Sequence, residues 1–80
     1  MGYHNTKIKK GVLGESSKIQ EELDELKDAE KQKCKILAHV ELSDIYGALE
    51  ACAENHGLTM ADLKQMADLT KRAFKSGSRK

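Results

Sequence analysis

Four carboxylates recur in this 80-residue chain at one spacing: Glu22 with Glu25, then Glu41 with Asp44. Residues three apart on a helix are neighbours on one face, so each pair presents its oxygens in one direction. An antiparallel hairpin turning near Lys33 sets Glu22 level with Asp44 and Glu25 level with Glu41, each pair being equidistant from the turn. Four such groups repel one another unless a divalent cation sits between them, and an all-oxygen donor set suits Mg²⁺, with Mn²⁺ as a second choice. The competing reading is a solvated acidic face, common in helices where a third of the residues are charged. The apolar context favours the site. At 100° per residue, Glu22 and Glu25 share a face with Leu26 and Ala29, and Glu41 and Asp44 share one with Leu37, Val40, Ala48 and Ala51. Carboxylates on an apolar stripe are costly to bury unless paired or bound to metal.

The elements that must position these groups are helical. Proline is absent, and most of the six glycines fall near expected helix ends, which predicts an all-α subunit. Residues 1–13 show no lasting periodicity and read as a flexible N-terminal arm. A helical domain follows over 14–76, and residues 77–80 form a basic C-terminal tail. Ser17 with Gln20 fits a capping box opening the first helix, where Ile19, Leu23 and Leu26 keep a helical period. A turn belongs within 27–35, although no Gly or Pro marks it, so one long unbroken helix is the structural rival to the hairpin.

The second helix carries a further apolar stripe, Ala38, Leu42, Ile45, Leu49, Cys52 and Ala53, and two apolar faces imply more than one packing neighbour. Gly57 suits a left-handed stop. Thr59 with Asp62 reads as a capping box opening a third helix, whose expected buried face is Leu63, Met66, Ala67, Thr70, Ala73 and Phe74.

Composition narrows the class. Tyr3, Tyr46 and Phe74 are the only aromatics, so the core of a lone subunit is thin. Cys34 and Cys52 stand apart, without the spacing of a zinc site or a disulfide framework. No apolar run is long enough for a membrane span and no signal peptide is visible, so the cytoplasm is the expected compartment. The net charge of +1 hides segregation: residues 15–57 hold eleven acids against five lysines, while both flanks are basic. The basic tail lacks the stacking aromatics of a nucleic-acid interface. His4, His39 and His56 read as structural or surface groups, and Tyr46 as a surface or subunit contact.

With the helices and acidic pairs in place, the chain resembles the MazG-like all-α nucleoside triphosphate pyrophosphohydrolases, in particular the compact bacteriophage-type members. The resemblance rests on EExxE at Glu21-Glu22-Leu23-Asp24-Glu25 and ExxD at Glu41-Leu42-Ser43-Asp44, with the flanking stretch from Lys18 to Leu26, and covers about residues 13–75. It implies that Glu22, Glu25, Glu41 and Asp44 hold Mg²⁺, and that Glu21 orients the attacking water. The implied reaction splits the bond between the α and β phosphates, giving a nucleoside monophosphate and pyrophosphate. Lys71, Arg72 and Lys75 are the implied phosphate ligands, and Lys7, Lys9 and Lys10 could reach a phosphate from the arm. Many family members have four or more helices per subunit, so a three-helix chain is expected to complete its bundle as a homodimer or homotetramer through Ile45, Leu49 and Cys52. A nucleotide-sequestering protein of the same fold and a helical protein-interaction module are the alternative functions.

Overall fold

The computed structural model describes residue 4 and residues 6–76. It contains three α-helices, α1 (Ser16–Lys31), α2 (Lys35–Asn55) and α3 (Met60–Ser76), and no strand among the described residues. The all-α expectation holds, and the single long helix is excluded. None of the helices is long and apolar enough to cross a membrane. The basic tail expected at 77–80 lies outside the described residues.

The chain reverses direction at residues 32–34, and α1 and α2 then pack along each other. Lys33 makes the reversal by adopting the left-handed conformation, with φ 54°. Its N–H donates to the Glu30 carbonyl at 3.0 Å, and the Cys34 N–H donates to the Ala29 carbonyl at 3.2 Å. This bond pair is the Schellman stop. The end of α2 repeats it, with Gly57 (φ 73°) donating to Glu54 and Leu58 donating to Ala53. The first turn escaped any glycine signal because a lysine occupies the position glycine usually fills.

Helix starts differ in the same instructive way. Thr59 and Asp62 form the expected reciprocal box: Asp62 N–H donates to Thr59 Oγ1 at 3.1 Å, and Thr59 N–H to Asp62 Oδ2 at 2.9 Å. At α1 the box expected from Ser17 and Gln20 does not form. The helix opens two residues sooner behind Glu15, which caps with no side-chain bond. The Ser17 hydroxyl instead accepts the Val12 N–H at 3.0 Å, and the Gln20 amide donates to Asp24.

Among the described residues the interior is shared between alanines, one leucine and four carboxylates, Glu21, Glu22, Asp28 and Glu41. Ala29, Leu37, Ala48 and Ala53 are its buried apolar residues, and alanines let two helix backbones approach closely. The second stripe of α2 is only partly covered: Ala53 is buried, Ala38, Ile45 and Cys52 are half-buried, and Leu42 and Leu49 are exposed. The expected face of α3 is corrected likewise. Leu63 and Thr70 are half-buried, but Met66, Ala67 and Phe74 are exposed; nothing is described of the Ala73 side chain. The reason is architectural, since α3 contacts α2 and not α1, so one chain supplies it a single neighbour.

The described part of the arm has neither helix nor strand, but several groups besides Val12 and His4 fasten it to α1. Gly11 N–H donates to Glu21 Oε1 at 2.8 Å, Thr6 Oγ1 donates to Asp28 Oδ1 at 3.3 Å, and Lys10 pairs with Glu21 at 3.6 Å. At Gly11 a Cβ would collide with the Ser17 carbonyl, so only glycine permits this approach.

Candidate metal centre

Because α1 and α2 face each other, the two acidic pairs meet. One oxygen from each of Glu22, Glu25, Glu41 and Asp44 lies within 4.8 Å of the other three. Glu22 and Glu41 are buried, 5% and 3% exposed. Glu25 is half-buried and Asp44 is exposed, which leaves the cluster open on one side.

Glu22 Oε1 and Glu41 Oε1 are buried with no hydrogen-bond partner. A buried acceptor left unsatisfied costs about 1–3 kcal/mol, and more if charged. A divalent cation held by all four carboxylates would satisfy both atoms at once, so these residues fit the metal that their chemistry suggests. Their protonation tells the same story. Burial, and then the neighbouring Glu25 carboxyl, raises Glu22 above the ordinary carboxylate range despite Lys18. Burial also raises Glu25, with Glu41 adding to it and Glu22 and His4 opposing. Without a cation, burial and the neighbouring carboxylates make Glu22 and Glu25 harder to ionise.

A second grouping overlaps the first. One ligand atom each from His4, Glu25 and Glu41 also falls within 4.8 Å of the others. The His4 ring bridges the two helices, with Nδ1 2.9 Å from Asp28 Oδ2 and Nε2 3.0 Å from Glu41 Oε2. Burial opposes its charged form, but the bonds to Asp28 and Glu41 outweigh this and raise its pKa above the usual imidazole value. Asp28 is 4% exposed and also accepts the Gln32 side-chain amide at 2.8 Å.

In the sequence, Asp28 is not singled out and His4 reads as a structural or surface group. Asp28 had a signal, because Glu21, Glu25, Asp28 and Gln32 recur at the four-three-four spacing of one helix face. His4 had none. Its partners lie 24 and 37 residues away, and an arm without periodicity brings them together.

Glu21 stands apart from both groupings. It is 3% exposed, and its oxygens are taken by Gly11 N–H, Lys18 at 3.2 Å and Lys10. The Gly11 hydrogen bond holds its carboxyl below the usual range against the effect of burial, and Lys18 helps. Glu21 thus ties the arm to α1, chiefly through Oε1, while Oε2 meets the exposed Lys10 at 3.6 Å.

Lys18 also reaches Glu22 Oε2 at 3.2 Å, and that bond, opposed by burial, raises the lysine's pKa. It borders a cavity of about 490 Å³ shared with Leu13, Glu22, Ser43, Asp44 and Gly47. Lys71, Arg72 and Lys75 are exposed on α3, the helix that does not touch α1, and they do not border this cavity. Lys7 and Lys10, by contrast, line a hollow of about 200 Å³ with His4, Thr6 and Glu25. His39 and Tyr46 are exposed, and His56 Nδ1–H closes on the Cys52 carbonyl at 2.9 Å near the end of α2. No protein family, curated protein or solved structure matches the chain.

Proposed function

We propose that the chain is a Mg²⁺-dependent nucleotide pyrophosphohydrolase, built on an antiparallel hairpin that carries EExxE on α1 and ExxD on α2. The observation that carries this reading is the pair of orphaned, buried oxygens on Glu22 and Glu41 inside a four-carboxylate cluster. When bound there, Mg²⁺ supplies neutralisation of phosphate charge, polarisation of the phosphorus centre and a bound water of lowered pKa. Glu22, Glu25, Glu41 and Asp44 hold and orient it. Asp44, the exposed member, marks the side from which a nucleotide triphosphate enters, and Lys18 provides a positive group at the cavity edge. Phosphoryl chemistry needs mainly positioning and electrostatic stabilisation, which this constellation offers without a nucleophilic side chain.

Lys71, Arg72 and Lys75 remain the proposed ligands of the departing pyrophosphate, delivered from a second copy of the chain in a homodimer or homotetramer. The exposed leucines of α2 and the exposed face of α3 supply the apolar surface for that assembly. A protein of the cytoplasm is the matching setting.

The test is incubation with Mg²⁺ and a panel of canonical, modified and alarmone-type nucleotides, with monophosphate and pyrophosphate resolved by chromatography and Glu41→Gln as control. Pyrophosphate that appears with the parent and not with Glu41→Gln supports the enzyme. Mg²⁺-dependent thermal stabilisation by one nucleotide without turnover would replace it with a sequestering protein of the same fold. Neither signal would leave a helical interaction module.

A further inference from the structure

The His4 ring has the surroundings of a metal ligand. Its side chain is 9% exposed, and its two nitrogens face different partners. Nδ1 points to Asp28, a carboxylate braced by the Gln32 amide at 2.8 Å and Thr6 Oγ1 at 3.3 Å. Nε2 points into the cluster, 3.0 Å from Glu41 Oε2. A carboxylate that fixes one imidazole nitrogen so that the other can bind metal is a recurrent arrangement in metalloproteins. Glu41 Oε1, which also counts toward the four-carboxylate position, is buried and without a hydrogen-bond partner on the same residue.

We propose that His4 Nε2, Glu25 and Glu41 form a second cation position. It shares Glu25 and Glu41 with the four-carboxylate position and selects a first-row transition cation over Mg²⁺. The selectivity follows from the donors: Mg²⁺ prefers oxygen alone, whereas imidazole nitrogen favours cations such as Co²⁺, Ni²⁺ and Zn²⁺. Glu25 and Glu41 each have two oxygens, so one carboxylate can serve both positions. Entry of the cation displaces the proton shared between Nε2 and Glu41 and draws the arm onto the hairpin through His4. Asp28 is a positioning residue here, acting through the His4 ring.

This inference rests on the reading of the four carboxylates as a cation site, and the variants separate the two. Asp44 belongs only to the four-carboxylate set, and His4 only to the second. The experiment is a calorimetric titration of the full chain with Co²⁺ and, separately, Mg²⁺, for the parent, His4→Ala, Asp28→Asn and Asp44→Asn, with helicity checked by circular dichroism. The parent is expected to take two Co²⁺ and one Mg²⁺. His4→Ala should lose one Co²⁺ and keep its Mg²⁺, and Asp28→Asn should weaken that same Co²⁺ about 10–100-fold. Asp44→Asn should lose the Mg²⁺ and keep the His4-dependent Co²⁺.

Co²⁺ binding that is unchanged in His4→Ala overturns the second position while leaving the first intact. Should His4→Ala fail to fold, nuclear magnetic resonance of the parent decides. A Co²⁺ at the four-carboxylate position would itself shift a ring this close, so the signals are also read in Asp44→Asn, which lacks that position: paramagnetic displacement of the His4 ring there supports ligation, and unmoved ring signals at saturation overturn it.

Discussion

Glu41 places one oxygen against His4 and leaves the other buried and unanswered, so the metal-free protein carries a cost at the cluster that a cation would remove. Glu25→Gln relieves part of the mutual repulsion. It should raise the metal-free stability by about 1 kcal/mol in thermal or denaturant unfolding. Mg²⁺ at 100 times its dissociation constant should stabilise the parent by about 2.7 kcal/mol and this variant far less. Equal Mg²⁺ responses would show that Glu25 does not ligate. The pH dependence has a definite sign. Glu22 and Glu25 are raised above 4.5 and His4 above 6.5, so their contributions are full at low pH and fade as pH rises through the raised values. Glu21 is lowered and loses its contribution only as pH falls below 4.5. Metal-free melting temperature should therefore fall from about pH 5 to pH 8, and saturating Mg²⁺ should cancel the fall. A metal-free protein that gains stability over that interval would contradict the assigned burial of these acids.

The α1–α2 reversal shows at the scale of elements what could and could not be read in advance. Its position near Lys33 followed from pairing the acids by level, and the meeting of Glu22, Glu25, Glu41 and Asp44 followed from spacing alone, because helix periodicity is local and regular. Its mechanism did not, since a left-handed lysine has no sequence mark. Nor did the arm, whose contact with Glu21 goes through one glycine that permits close approach and whose contacts with Asp28 and Glu41 come from His4 and Thr6. A non-glycine residue in the left-handed region costs about 1–2 kcal/mol. Lys33→Gly should therefore raise stability by about 1 kcal/mol, or about 4–8 °C in melting temperature for a chain of this size; a fall would mean that the Lys33 side chain matters more than its backbone. Gly11→Ala should cost about 1–3 kcal/mol through overpacking and release Glu21, readable as faster amide exchange at Gly11 or its substitute and its neighbours. Unchanged exchange would detach Glu21 from its role in holding the arm.

The whole molecule is too extended for a finished bundle. Its Cα radius of gyration is 14.5 Å, against about 12 Å for a compact chain of this length, and α3 has one neighbour. Leu42, Met66, Leu69 and Phe74 are 49–63% exposed. That exposure argues for a second copy, because the apolar stripes read from the sequence are only partly covered within one chain. Light scattering at micromolar concentration should give a multiple of the 8.9 kDa chain mass, reduced to the single mass in a Leu42→Lys, Phe74→Lys double variant; a monomeric parent would refute the assembly. The proposed function rests on a divalent cation bound by the carboxylate cluster. That binding is tested most directly by calorimetric titration of Mg²⁺ into the parent and into folded Glu41→Gln. Saturable binding in the parent that is lost in the variant is the predicted result. Binding absent from both, or equal in both, would contradict the account.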